Sequence, residues 1–388
     1  MGAKTIDHST RAHALLSASS AHRWLKCSPS AVAAELYPRQ DTVFTREGTQ
    51  AHEAAEIVAK ARLAGREVSQ IKAQPWPKGT TEEMVVNAFG YADYIQEHIT
   101  GEDALVLLES RVDFSPWVPD GFGTCDCIII QSDTLTVIDY KYGEGVPVSA
   151  VDNPQMKLYA LGALNDYGFA YDVEKIETHI YQPRINNISV EKLTLTDLMD
   201  WGEKIKPIAA KAAKGEGEYT PGEHCKFCPH TGQCRRLADV CLTYVKHRGV
   251  KIGVPVLAPF EVAEALEMEP LITLWLKRVK EQAMTSMLNG EQVPGWKVVE
   301  GKLGNRKWVD DVQAFNALMN AGYSVEAVTE TKLLSPAMMD KAIGKKTVAE
   351  LLTDHITREP GKPTLARESD TRPEYNRDED IRKALEAE

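Results

Sequence analysis

Asp139 and Lys141 stand two apart in the run Thr134 to Tyr142, TLTVIDYKY, which is otherwise apolar, aromatic or β-branched. A strand sends alternate side chains to one face, so this acid and lysine look into the same space, roughly 6.6 Å apart along the strand, while Tyr140 points the other way. Asp126 interrupts a second such run, Thr124 to Gln131, and projects opposite to Cys125 and Cys127. Its carboxylate is thus expected on the shared face and the two thiols in the core. Ser132-Asp133 makes the turn between the strands. Further on, Gln155 and Tyr159 lie four apart on a predicted helix and form a polar pair on one side of it. Any single D-x-K tripeptide is explained by a hairpin with solvated charges, but five polar residues at these spacings ask for a chemical reason. Carboxylates that fix Mg2+ through hard oxygen ligands, beside a cation that relieves charge on a phosphorane, are the needs of phosphodiester hydrolysis. Asp126, Asp139 and the backbone carbonyl of Tyr140 suit the metal. Lys141 suits orientation or deprotonation of water and charge stabilisation.

Other elements must bring partners to this hairpin. The Ala-rich segment Phe44 to Gly65 is predicted helical, with Gly48, His52 and Glu56 at i, i+4 and i+8 on one side. A helix is expected over Thr81 to His98, then a strand over Ala104 to Phe114 in which Glu109 breaks the apolar run. After the hairpin and the Gln155 helix come a strand over Lys175 to Gln182, a second at ISVEKLTLT, and a helix from Leu198 to Gly215. The segment Ser17 to Tyr37 reads as two short helical runs separated at Cys27 and Pro29.

Cys225, Cys228 and Cys234 follow in C-x2-C-x5-C spacing within a Pro/Gly-rich loop ahead of a helix. Such loops let several thiolates converge on a metal or cluster. Zinc held by these three with Cys241, His224 or His230 is one reading of the spacing.

The chain has 388 residues, a net charge of -11 and seven cysteines. That acidity argues against a general nucleic-acid coat, though not against an enzyme whose acidic site binds metal and whose DNA contacts are local. The odd cysteine count suggests metal before disulfides. With no apolar run near the roughly 20 residues that span a bilayer, and no signal-peptide pattern in the opening residues, a cytoplasmic protein without membrane contact is expected. Beyond Gly249 a long helix is predicted, then a hairpin in GWKVVEGKLGNRKWVD carrying Lys297, Lys302, Arg306 and Lys307 beside Trp296 and Trp308, suited to DNA by phosphate contact and stacking. Short helices run to about His355, and the charged, Pro-containing end reads as a flexible tail. No internal repeat is evident, and Gly344-Lys345-Lys346-Thr347 is not a P-loop.

In order and type these motifs resemble those of the RecB-like nucleases of the PD-(D/E)xK superfamily. Gly48-Thr49-x-x-His52 is similar to the family's first helical motif, Gly123-x-x-Asp126 to its second, Asp139-Tyr140-Lys141 to its third and Gln155-x-x-x-Tyr159 to its fourth. The resemblance implies an α/β restriction-endonuclease-like core, a central mixed β-sheet flanked by helices, with a mainly helical C-terminal extension. It implies Mg2+ or Mn2+ bound by His52, Asp126 and Asp139, a catalytic Lys141, and a Gln155/Tyr159 helix that supports the site and contacts DNA. Glu109 matches an acid on the preceding strand, and Glu56 is expected behind the ligands. Members related to the AddB nuclease domain hold a 4Fe-4S cluster with one cysteine before the core and three after it, which implies Cys27 with Cys225, Cys228 and Cys234. Such a cluster would close a loop of about 200 residues, an entropic staple on the domain. The expected organisation is a nuclease domain over 1–248, a helical accessory region with a basic hairpin over 249–357, and a tail over 358–388. The implied function is hydrolysis of DNA, most simply from its ends, in phage recombination or replication within the bacterial host cytoplasm. A separate helicase or single-strand-binding or annealing protein would be the partner, and a non-catalytic DNA-end-binding or scaffold protein is the alternative.

Overall fold

The computed structural model describes residues 14–38, 42–101, 103–247, 258–299 and 310–321, with isolated positions beyond. The strands expected from alternation form one five-stranded mixed sheet in the order β1 (Leu105–Asp113), β2 (Phe122–Gln131), β3 (Thr134–Tyr140), β4 (Lys175–Gln182), β5 (Asn187–Thr194). Neighbours are antiparallel except β3 and β4. A parallel pair needs a crossover, and the helix from Pro154 to Tyr167 lies within it.

Ten α-helices are described. In chain order they are α1 (Ala21–Trp24), α2 (Ser30–Ala34), α3 (Val43–Leu63), α4 (Val68–Lys72), α5 (Glu82–Glu97), α6 (Pro154–Tyr167), α7 (Leu195–Lys214), α8 (Arg235–His247), α9 (Pro259–Leu288) and α10 (Asp311–Asn320). α3 begins where the Thr42 hydroxyl accepts the Thr45 N–H at 3.1 Å, and α6 where Asn153 caps Gln155 ahead of Pro154. Both carry site residues, so their caps fix the rotation of those residues about the helix axes.

The centre of the sheet is buried on both faces. α3, α4 and α5 cover one with Ala51, Ala55, Val58, Ile71, Ala88 and Ile95, which meet Cys127, Ile129, Ile138 and Tyr140. α6, α7 and the segment around Trp24 cover the other, meeting Cys125, Ile128, Ile130, Leu135 and Val137. Burying an Ile or Leu side chain stabilises the fold by about 1.5–3 kcal/mol, so the central strands β2 and β3 carry much of the core. The expected α/β core, a mixed sheet flanked by helices with a mainly helical region after it, is the fold observed.

Two neighbouring strands depart from simple alternation. Leu107 and Val112 of β1 both pack on the α6 side, as do Cys125 and Ile128 of β2, although each pair is an odd number of residues apart. The β1–β2 ladder pairs Leu108 with Cys127 and Ser110 with Cys125, and the intervening Glu109 lies opposite Asp126 without a ladder pair. Glu109 has φ 49°, in the left-handed region that side chains rarely adopt within strands. Both strands therefore exchange faces at this point, and the two thiols expected in a common core enter opposite ones.

The chain divides into two compact units, Met1–Val299 and Glu300–Glu388. α9 belongs to the first, with Leu271, Ile272, Leu274 and Trp275 packed on Leu237 and Cys241. Residues 296–299, the expected first arm of a hairpin, form no strand, and Trp296 and Lys297 are exposed. They have no neighbouring strand among the described residues to pair with. Lys302, Arg306, Lys307 and Trp308 lie outside the described residues, as does the stretch 358–388.

Candidate active site

The site forms where the sheet opens around Asp126. β2 and β3 pair from Gln131–Thr134 to Cys127–Ile138 and no further, while β3 continues beside β4 through Tyr140. The Tyr140 N–H, freed from the β2 ladder, donates instead to Asp126 Oδ2 at 2.7 Å. A carboxylate thus replaces a backbone acceptor and is fixed in direction by doing so.

His52 reaches this point from α3. Its Nδ1 lies 3.5 Å from Asp126 Oδ1 and 4.0 Å from Glu109 Oε1. The donor atoms of His52, Glu109 and Asp126 all fall within 4.8 Å of one another, the geometry of a site for one cation. The Tyr140 ring packs edge-on against the His52 ring, centroids 5.4 Å apart, and holds it from behind. Glu109, which only loosely matched a family acid, becomes a principal ligand candidate through its left-handed backbone. Glu56 is engaged by Lys60 on the same helix and stands outside the trio.

Asp139 forms the second half of the site. It is 2% exposed, and its Oδ2 lies 2.8 Å from Lys141 Nζ. Gln155 joins the two, its Nε2 donating to Asp139 Oδ1 at 3.0 Å while its Oε1 lies 3.5 Å from Lys141 Nζ. Gln155 Nε2 also approaches the Tyr159 hydroxyl at 3.4 Å. The predicted pairing of D-x-K with Q-x-x-x-Y is thus direct. Asp139 is coupled to its lysine rather than placed among the three ligands, because a buried carboxylate takes the nearest cation.

Charge follows this division. Burial works against the His52 imidazolium, but the Asp126 carboxylate outweighs it and lifts the pKa to about 9. Burial, reinforced by Asp126, raises Glu109 to about 7. Burial also opposes ionisation of Asp126, yet His52, Lys141 and the Tyr140 N–H hold its carboxyl below the usual range. Lys141 is raised because Asp139 and Asp126 overcome its burial, and Asp139 is raised by burial despite Lys141. Two carboxylates and an imidazole grouped in this way could hold a cation in exchange for the protons of His52 and Glu109. Hard oxygens with one imidazole suit Mg2+ or Mn2+.

Gly123 has a packing reason that composition could not reveal. A Cβ there would sit 2.8 Å from the Tyr159 ring, so the glycine lets Tyr159 lie across β2 beside the site. At Gly48 a Cβ would meet nothing within 4 Å, and packing does not account for that glycine.

Four of the cysteines face a second cavity. Cys27, Cys225, Cys228 and Cys234 line it, with Tyr219, His224, His230 and Thr231 among its other walls. Burial raises Cys225 to about 11, although the Gly222 N–H donates to its sulfur at 3.4 Å. Cys234 is also raised by burial, opposed by backbone N–H groups of Leu237 and Arg236 at the start of α8. Thr231 Oγ1 donates to the carbonyls of Cys225 and Cys228 at 2.6 and 2.8 Å and ties the loop. Tyr37 Oη donates to Gln233 at 2.7 Å and lies 3.0 Å from His230 Nδ1, joining the Cys27 segment to the loop. Neither Thr231 nor Tyr37 was singled out from sequence. A lone threonine inside C-x5-C was the available signal for the first. Cys241 does not line this cavity; it packs with Leu237 in an apolar cluster beneath α9 that Cys225 and Cys234 also join.

Among the described residues no helix is long and apolar enough to cross a membrane. A solved structure described as "Crystal structure of SSO0001" is similar at 15% identity and TM-score 0.25, over 56% of this chain and 96% of that one. A family described as "Protein of unknown function (DUF2800)" matches residues 13–373, a span that takes in the acidic site and the cysteine cavity together. With nearly its whole length inside that match, the chain belongs to the DUF2800 family.

Proposed function

We propose that this protein is a divalent-metal-dependent deoxyribonuclease, hydrolysing phosphodiester bonds of DNA with Mg2+ or Mn2+ held by His52, Glu109 and Asp126. The observation that carries this reading is the adjacency of that trio to the Asp139–Lys141–Gln155 chain. A divalent cation supplies Lewis-acid stabilisation of a phosphoryl oxygen and acidifies a bound water. Lys141 is held as an ammonium by Asp139, so its part is to orient water and offset charge on the phosphorane rather than to remove a proton. Gln155 and Tyr159 keep Asp139 and Lys141 in place and border the DNA path. Exonuclease action at DNA ends, a phage recombination setting in the host cytoplasm, and a separate helicase or annealing partner follow from the likeness to RecB-like nucleases. Exposed Trp296 and Lys297 supply a local DNA contact.

Cys27, Cys225, Cys228 and Cys234 would hold a 4Fe-4S cluster. Four thiols around one cavity suit a cage in which each sulfur binds a separate iron. Such a cluster ties the Cys27 segment to the loop after α7.

The deciding experiment incubates end-labelled linear and circular DNA, single- and double-stranded, with anaerobically purified protein and Mg2+ or Mn2+. Cleavage by wild type and its loss in Asp126→Ala and Lys141→Ala is expected. Equal cleavage by all three would reject the site, and no cleavage by cluster-loaded wild type would reject the activity.

A further inference from the structure

Between Lys141 and Gln155 the chain runs through residues 142–153, which connect the two halves of the site. Nothing in regular secondary structure holds this stretch, yet its backbone is fixed along its length by side chains from the end of β4 and from β5. Gln182, 2% exposed, uses all four of its hydrogen-bonding positions. Its Nε2 donates to the carbonyls of Gly143 and Val146, and its Oε1 accepts from Val148 N at 3.1 Å and Asn187 Nδ2 at 3.0 Å. Asn187 Nδ2 also donates to Val148 O at 2.9 Å, Ser189 Oγ accepts from Ala150 N at 2.9 Å, and Glu191 Oε1 accepts from Asp152 N at 3.0 Å.

The spacing is regular. Asn187, Ser189 and Glu191 are alternate residues of one strand, so they share a face. They meet Val148, Ala150 and Asp152, which advance by the same two-residue step. β5 thus presents a row of polar side chains that replaces a backbone ladder. Its last member is anchored in turn, since Lys157 Nζ lies 3.4 Å from Glu191 Oε1 and 2.8 Å from Asp152 Oδ1. At the other end Lys141 N donates to Tyr181 O at 2.9 Å, next to Gln182.

We infer that Gln182, Asn187, Ser189 and Glu191 are positioning residues that set Lys141 and Gln155 at hydrogen-bonding distance by fixing the span between them. The inference rests on the proposed nuclease reading and adds to it residues that touch neither metal nor DNA. Their effect is selective, because His52, Glu109 and Asp126 stand on α3, β1 and β2 and are untouched by the row.

The test compares wild type, Gln182→Ala and the milder Ser189→Ala by two readouts. Amide hydrogen exchange over residues 143–152 measures the anchoring without reference to activity. Single-turnover DNA cleavage and Mn2+ titration measure its consequence. Expected are faster exchange confined to that span, a loss of about 100-fold in cleavage rate for Gln182→Ala, which is the scale of a small misplacement of catalytic groups, and a smaller loss for Ser189→Ala. Mn2+ affinity is expected to stay unchanged. Unaltered exchange in both variants overturns the anchoring. Faster exchange with undiminished cleavage, or Mn2+ affinity lost in step with cleavage in both variants, overturns the positioning role. Wild type that cleaves no DNA overturns the nuclease reading and the catalytic role with it, and the exchange data then judge the anchoring separately.

Discussion

Glu109 lies opposite Asp126 at the gap in the β1–β2 ladder, with its backbone in the left-handed region. A non-glycine residue held there costs on the order of 1–3 kcal/mol, a strain that persists where the surroundings or a function demand it. Glycine adopts the same backbone freely. Glu109→Gly is therefore expected to raise the stability of the metal-free protein, by about 1 kcal/mol, while abolishing the response of Tm to Mn2+. Thermal unfolding with chelator and with Mn2+ checks both parts. A metal-free variant less stable than wild type would mean that the strain is not where the backbone places it.

Metal affinity should depend on pH with a predictable sign. A cation requires neutral His52 and ionised Glu109, whereas the metal-free site holds protons on these groups up to about 9 and about 7. Binding must then release protons, about two below pH 7 and about one between pH 7 and 9. Mn2+ titrations in two buffers of different ionisation enthalpy read the number directly. Affinity that is flat from pH 6 to 9 would remove these two residues from the ligand set.

The same groups shape the stability of the metal-free fold. His52 and Glu109 have folded pKa values above their usual 6.5 and 4.5, so the folded state binds these protons more tightly than the unfolded chain does. The Glu109 contribution is complete below pH 4.5 and lost as pH rises through about 7. That of His52 is complete below 6.5 and lost through about 9. In chelator, Tm should fall between pH 5 and 9, with the alkaline part of the fall absent in His52→Ala and the earlier part absent in Glu109→Gln. Coincident curves for the three proteins would contradict the assignment.

Asp139 is buried against a half-buried Lys141, and removing the lysine leaves the buried carboxylate uncompensated. Lys141→Ala is expected to cost about 3–5 kcal/mol as well as abolish cleavage. In the double variant Asp139→Asn/Lys141→Met no charge is stranded, so stability should recover while activity stays absent. Chemical denaturation of the two variants separates these effects. Equal instability in both would show that the pair matters through packing rather than charge.

Much of the sheet could be read from sequence because alternation and β-branched runs report strands directly, and β4 was bounded at Lys175 and Gln182 without error. That Asp139 shares a face with Lys141, and Gln155 with Tyr159, was also legible, since strand alternation and i, i+4 spacing are local rules; the bond from Gln155 to Asp139 was not, and only the family resemblance brought that helix to the site. What escaped were features set by the sheet as a whole. The exchange of faces at Glu109 and Asp126 depends on two strands turning together, and no local pattern marks a left-handed residue that is not glycine. The role of Asn187, Ser189 and Glu191 lay hidden in NISVEKLT, whose alternation names a strand but not what its polar face holds. Of the expected hairpin near Trp296 only residues 296–299 are described, and alternation there makes no strand because a ladder needs a partner that the described residues do not supply.

The cysteine assignment predicts an ordered set of losses. Cys27 stands on the N-terminal segment packed through Trp24 beneath α6, and the other three thiols stand on the loop after α7. A cluster joining them closes a long loop, so its loss should cost stability more than catalysis. Cys27→Ser and Cys225→Ser are expected to lose iron and sulfide together and to lower Tm. Cys241→Ser should keep both, because that thiol packs beside Leu237 and Trp275 without lining the cavity. Iron and acid-labile sulfide assays on anaerobic preparations, with the visible absorption of the cluster, distinguish the outcomes. Stoichiometric zinc without iron would overturn the cluster, and loss of iron from Cys241→Ser alone would place the ligands elsewhere. Loss from Cys27→Ser with an unchanged Tm would leave the cluster but deny it the staple, since the hydrogen bonds of Tyr37 to Gln233 and His230 would then suffice to hold the two segments together.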